Sequence, residues 1–412
     1  MKLKNYLCFL LTIIWIFSLT GCGKTQSENP PESSLPSNVS SEPVLSEPSK
    51  ETSHVSDKSE TKTTLPEEFN DKGIFSAYYE KAYEKMQHMN LEEKIGQMIY
   101  ARCPITNGAE IAQKYHLGGY VLFGENFADK SKEEVLSEMQ SYIDSQEIPM
   151  TLSVDEEGGT VTRISGKPQL SSKEFESPRD LYNKGGMELI CSDAKEKAKF
   201  LKKYLIDTNL APVCDISLDE NAFMYDRSVG LDPNGTSTFV KNVTEISQKN
   251  GVSVTLKHFP GYADNADTHT GIAVDDRSLE EFQKNDFKPF EAGIQAGAHL
   301  ILVSHNIVNC MDNTQPASLS PKVHQILRSS LHFTGIIITD DLDMDAVKEY
   351  SGEYSPSVAA VLAGNDMILT SDIESSCHDI KNAVEKKIID ETTINQSVTR
   401  ILAWKYTTKL MQ

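Results

Sequence analysis

Cysteine is sparse in this chain of 412 residues, with seven in all, and no two stand in a CxxC pair. Beyond the N-terminal segment only Cys103, Cys191, Cys214, Cys310 and Cys377 remain. An odd number without paired spacing signals neither a disulfide framework nor a zinc site, so buried free thiols are expected. Basic residues are also in deficit: 40 Lys and Arg against 60 Asp and Glu give a formal net charge of −20. Phosphate-backbone binding needs clustered Lys and Arg, which excludes nucleic acid as a partner. No apolar run reaches the roughly 20 residues of a membrane-spanning helix. Aromatic side chains are missing altogether from Gly23 to Glu67, a stretch of Ser, Pro, Thr and charge that cannot bury enough surface to offset its ordering entropy.

The N-terminus has a different character. Lys2 and Lys4 precede an almost wholly apolar run from Tyr6 to Phe17, and Ser18-Leu19-Thr20-Gly21-Cys22 follows. That is the layout of a secretory signal. A small residue before Cys22 resembles the bacterial lipoprotein cleavage box, which implies residues 1–21 as signal peptide and Cys22 as the lipidated first residue of the mature chain. Ordinary signal cleavage with Cys22 incidental is the alternative. Lipid on one Cys anchors a protein without spanning the membrane. Residues 22–67 then read as a disordered tether with a mean span of roughly 40 Å, holding a body of residues 68–412 off the membrane and toward the cell wall.

In the body, short apolar runs recur between longer amphipathic stretches: 98–100, 120–123, 150–154, 210–213, 253–256, 300–303, 336–338 and 367–369. Helical patterns lie at 91–96, 132–145, 193–205, 238–250, 279–296, 321–329, 358–363 and 394–405. Such alternation predicts an α/β fold, a single (β/α)8 TIM-type barrel, with a doubly wound open sheet as competitor. Polar residues close several runs: Asp155 the third, Lys257 and His258 the fifth, Ser304 and His305 the sixth, Asp340 and Asp341 the seventh. Barrel chemistry gathers at those strand ends.

The fifth run exits through Lys257-His258-Phe259-Pro260-Gly261-Tyr262. Adjacent Lys and His at a strand end, followed by a Pro-Gly turn, offer fixed hydrogen-bond donors to a polar ligand, although Lys257 also fits a structural ion pair and His258 a core position. Further on, Asp267 and His269 are one residue apart. An Asp accepting from one imidazole nitrogen sets the tautomer, raises the pKa and frees the other nitrogen for acid and base work, although the same triplet fits a metal. Asp340-Asp341-Leu342-Asp343 follows four apolar residues, where paired carboxylates are costly unless used. Asp340, nearest the strand, suits attack, whereas Asp341 and Asp343 suit a helix cap. Asp155 can accept from two vicinal hydroxyls of a sugar, and Gly158-Gly159 lets the backbone pass close to a ligand. The acids here lack EF-hand spacing, so no metal is expected.

Together these pieces resemble glycoside hydrolase family 3 in its β-N-acetylhexosaminidase branch. The resemblance runs in family order through Leu91–Gln97, Gly118–Phe123, Asp155–Arg163, Leu210–Val213, Asp226–Ser228, Lys257–Gly261, Asp267–His269, Thr339–Leu342 and Ala363–Asp366. It implies Asp340 as nucleophile, with the Asp267 and His269 pair as acid/base where most retaining glycosidases use a second carboxylate. It also implies Asp155, Arg163, Arg227, Lys257 and His258 as the residues that hold the terminal sugar and its N-acetyl group. The implied reaction is hydrolysis of terminal β-linked N-acetylglucosamine from wall-derived GlcNAc-MurNAc fragments or chitin oligosaccharides, with no metal or organic cofactor. Two-domain members take their acid/base from a second domain. This chain ends soon after its eighth helical pattern, which favours the His-loop branch.

Three departures from the family pattern stand out. Glu156 replaces the usual Gln and Thr160 the usual Arg, which predicts an added anion and a lost cation beside the sugar site. Ala263 stands where Gly is common and resists φ > 0. Two other functions compete: a phosphorylase with phosphate as acceptor, since a neutral His base repels phosphate less than a carboxylate does, and a non-catalytic glycan-binding lipoprotein.

Overall fold

The computed structural model describes residues 65–262, 272–344, 347 and 350–412. The chain divides into Met1–Glu60 and Thr61–Gln412, and every described residue belongs to the second unit. Its strands are β1 Ile99–Arg102, β2 Gly119–Leu122, β3 Thr151–Val154, β4 Thr208–Asn209 and β5 Ser253–Phe259, then β6 Val274–Asp275, β7 Leu300–Val303, β8 Ile307–Val308, β9 Ile336–Thr339 and β10 Ile368–Thr370. Eight of them form one parallel sheet in the order β10-β1-β2-β3-β4-β5-β7-β9. A parallel bridge between Ile338 and Met367 brings the outer strands together, so the sheet closes as the expected barrel. β2, β3, β5, β7 and β9 are buried at every position. Strands covered on both faces read as unbroken apolar runs without alternation, and this is why the runs located them.

The fourth run is the exception. Regular pairing is confined to Thr208 and Asn209, ahead of the predicted 210–213; beyond it the Leu210 N–H donates to Val154 O, Ala211 O and Pro212 O accept from the Thr255 and Lys257 N–H groups, and Val213 bridges to Lys257. Pro212 interrupts the stretch because it has no N–H to donate. Helix boundaries differ for similar local reasons. The 193–205 pattern is the end of a longer helix, Pro178–Lys203, bent at Gly185-Gly186. The 279–296 pattern breaks at Asn285 into Leu279–Lys284 and Phe287–Gln295. The 321–329 pattern passes from Pro321–Gln325 into a π turn at Ile326–Ser330. Helices at Tyr79–Gln87, Gly108–Tyr115 and Ile373–Glu385 were not anticipated.

Helix starts follow side-chain caps. Asn90 with Glu93, Ser131 with Glu134 and Ser278 with Glu281 form reciprocal capping boxes. The last helix, Glu391–Thr407, crosses the strands' N-terminal ends: Trp404 Nε1 donates to Ser253 Oγ at 3.2 Å and Lys405 Nζ to Gln97 Oε1 at 2.7 Å. Burial pushes the Lys405 ammonium down to about 7. That end of the barrel is filled, and the open end is the C-terminal one. Among the described residues no helix is long and apolar enough to cross a membrane. The five body cysteines are free, and Cys310 is exposed, against the expectation of burial for all.

Candidate active site

A cavity of about 660 Å³ opens at the C-terminal ends of the strands. Its volume suits a small organic ligand. Asp155, Arg163, Arg227, Lys257, His258 and Asp340 all line it, so the six predicted site residues within the described chain converge on one space. Asp267, His269 and Ala263 lie outside the described residues.

Two strand ends supply an ion-pair hub. Lys257, at the end of β5 and only 2 % exposed, donates to Asp155 Oδ1 and to Glu157 Oε1, each at 2.6 Å. Arg163 Nη2 reaches Asp155 Oδ2 at 3.2 Å. Arg227 grips Glu157 with two prongs, Nε at 3.0 Å and Nη2 at 2.7 Å. Burial alone would raise both carboxyls, but Lys257 with Arg163 holds Asp155 below the ordinary Asp range. Lys257 with Arg227 does the same to Glu157 more strongly. Lys257 therefore makes the structural ion pair, fixing two acids, and it does so in the wall of the cavity.

Asp340 follows β9. Its N–H donates to Val303 O at 2.9 Å, tying it to β7, and its Oδ1 accepts from the Asp341 N–H at 2.9 Å. Burial raises this carboxyl, but His305, the Asp341 amide and Lys257 outweigh it and keep Asp340 below its usual value. An ionised carboxylate in a cavity is what nucleophilic attack needs. His305 is fully buried behind it, Nδ1 within 2.7 Å of Ser318 Oγ and Nε2 within 2.9 Å of Asp341 O. Asp341 and Asp343 each accept from a backbone N–H group. Asp341 Oδ1 accepts from the Asp343 N–H at 3.1 Å, and Asp343 accepts from the Ser371 N–H at 2.6 Å. Burial, with Asp343 and Asp340 adding repulsion, pushes Asp341 up to about 6.

The segment after β3 corrects two expectations. Glu156 adds no anion to the sugar site: it is fully buried and accepts from the N–H groups of Arg163, Ile164 and Ser165 and from the Ser165 hydroxyl. Alternation turns it away while Asp155 and Glu157 face the cavity. Thr160 does line the cavity, so the missing cation is real there. Gly158 and Gly159 have φ of 105° and 64°, and a Cβ on Gly158 would lie 2.2 Å from Glu176 O. Their small size serves close backbone packing, not ligand approach.

Sequence reasoning passed over three residues that build this site. Glu157 was read only as part of an acid run. Asp215, fully buried as a side chain, bonds His258 Nδ1 at 2.8 Å. Arg179 donates to Tyr225 O, Ser217 O and Ser228 Oγ, bracing the loop that presents Arg227. Buried charges next to strand ends were the available signal for Glu157 and Asp215.

Residues 90–404 match the family model described as glycosyl hydrolase family 3 N terminal domain. A β-hexosaminidase of Xylella fastidiosa (strain M23) is 33 % identical over 259 residues, covering 61 % of this chain and 76 % of that protein. One from Idiomarina loihiensis is 33 % identical over 276 residues, covering 65 % and 79 %. A solved family 3 β-N-acetylglucosaminidase from Paenibacillus sp. FPU-7 superposes with a TM-score of 0.72 at 27 % identity. That alignment covers 78 % of this chain and 63 % of the Paenibacillus chain.

Proposed function

Because this chain belongs to glycosyl hydrolase family 3, we propose that it is a retaining β-N-acetylhexosaminidase that hydrolyses terminal, non-reducing β-linked N-acetylglucosamine. The observation that carries this reading is the cavity in which an ionised Asp340 faces the Asp155, Arg163, Arg227, Lys257 and His258 set. Those five residues hold the terminal sugar through its hydroxyls and N-acetyl group. Asp340 attacks the anomeric carbon, and the bond to the leaving oxygen breaks as His269, oriented by Asp267, protonates that oxygen. Water then attacks the glycosyl-enzyme, His269 takes its proton, and the bond to Asp340 breaks with net retention.

Support for hydrolysis over phosphorolysis comes from the β-hexosaminidase relatives. The test follows turnover of 4-nitrophenyl β-N-acetylglucosaminide by NMR with and without inorganic phosphate. First-formed β-GlcNAc in both samples is expected, and phosphate-dependent GlcNAc-1-phosphate contradicts the hydrolase reading. Export and lipidation at Cys22 belong to the same proposal, supported by the N-terminal signal pattern. Lipid-anchored at Cys22 to the cell membrane, the enzyme faces the wall. Its substrate there is an oligosaccharide ending in N-acetylglucosamine.

A further inference from the structure

Asp215 sits directly after Cys214 at the foot of the loop that leads to Arg227, and its side chain has no solvent exposure. It takes no part in the reaction steps above. Three N–H groups point at it: the His258 backbone N–H at 3.1 Å and the His258 ring Nδ1 at 2.8 Å on Oδ2, and the Tyr262 N–H at 2.8 Å on Oδ1. On the far side of the imidazole, Nε2 lies 3.3 Å from Arg227 Nη2. A guanidinium only donates, so that contact requires a lone pair on Nε2. The proton must therefore be on Nδ1, where a carboxylate accepts it.

We propose that Asp215 is the positioning residue of the sugar-binding wall, fixing the His258 ring in its Nδ1–H tautomer so that Nε2 and Arg227 present one shared face to the cavity. The inference rests on the reading of His258 and Arg227 as sugar-holding residues. One carboxylate sets the ring's rotation through Nδ1, its backbone through the His258 amide, and the strand exit through the Tyr262 amide. The chain Asp215, His258, Arg227, Glu157 and Lys257 then alternates acceptor and donor, and no member can reverse its role without leaving a buried group unpaired. Asparagine at position 215 is nearly isosteric but puts an NH2 against at least one of these N–H groups. If it turns that NH2 to Nδ1, the imidazole must carry its proton on Nε2, facing the Arg227 donor.

A double-mutant cycle tests this with 4-nitrophenyl β-N-acetylglucosaminide, comparing wild type, Asp215→Asn, His258→Ala and the double variant. Wild-type turnover decides the reading of the function; the cycle decides the inference. Asp215→Asn and His258→Ala should each lower kcat/KM by about 100-fold, and the double variant should fall no more than about threefold below His258→Ala, because the two act as one unit. Losses that multiply, or an Asp215→Asn protein within about threefold of wild type, overturn it. A second arm leaves Asp215 unchanged: imidazole added to His258→Ala should restore part of the activity, whereas 1-methylimidazole, without an N–H for the carboxylate, should not. Equal recovery with both, or recovery with neither, counts against the proposal.

Discussion

Lys257 holds two carboxylates at once, so removing its charge orphans both. Breaking a buried ion pair from one side costs about 3–5 kcal/mol. Lys257→Met is expected to lower stability by an amount in that range, read from urea unfolding, and to abolish turnover. Glu156→Gln should behave oppositely. Its carboxylate braces the 163–165 amides and does not face the cavity, so about 1–2 kcal/mol of stability is lost. Selectivity between chitobiose and GlcNAc-MurNAc should stay unchanged; a changed ratio would show that Glu156 acts on the sugar. At this scale, residues that end apolar runs were readable because a charge beside a buried strand stands out. Asp215 ends the fourth run in the same way, but its pairing with His258, 43 residues on, was not readable, because no local pattern carries that distance.

The exit of β5 is the element on which the site turns. Gly261 has φ of 123°, and an added Cβ would lie 2.5 Å from Asp286 Oδ1. Asp286 cannot retreat, because Arg277 Nη1 holds its Oδ2 at 2.8 Å while also gripping Asp275 of β6. Gly261→Ala is thus expected to destabilise by about 2–3 kcal/mol, combining backbone strain and overpacking. Urea denaturation checks it, and a loss below about 0.5 kcal/mol would contradict the geometry. The Pro-Gly turn was legible in sequence, but this clamp was not. β6 and β8 have only two residues each, too few to show a period. The barrel strands were legible because burial on both faces left uninterrupted apolar runs, except where Pro212 broke the fourth.

For the whole molecule, charge decides how stability varies with pH. Asp155, Glu157, Asp340 and Asp366 are all held below their ordinary values, so what they contribute is present above pH of about 4 and lost as pH falls through their folded values. Asp286 and Asp341 run the other way. Burial raises each to about 6, so their contribution is full below the ordinary carboxylate pKa and lost as pH rises through about 6. Asp286→Asn removes one such group, so the melting temperature of the variant relative to wild type is expected to rise between pH of about 4 and 6. The same pH dependence in Asp286→Asn and wild type would contradict this assignment. Asp366 ties Arg328 at 2.6 Å to Arg400 at 2.5 Å beneath the barrel. Asp366→Ala should therefore cost about 3–5 kcal/mol without changing KM. Fractionation of Cys22→Ser cells checks the proposed anchor: the enzyme should leave the membrane fraction, and retention there contradicts lipidation.

All of these readings meet in Asp340 as the attacking group. Steady-state turnover of 4-nitrophenyl β-N-acetylglucosaminide by purified wild type and Asp340→Ala, with a matched melting temperature, measures this most directly. The account predicts a loss of about 1000-fold or more in kcat, with azide restoring turnover by supplying the missing nucleophile. An Asp340→Ala protein that keeps wild-type activity within about threefold would contradict it.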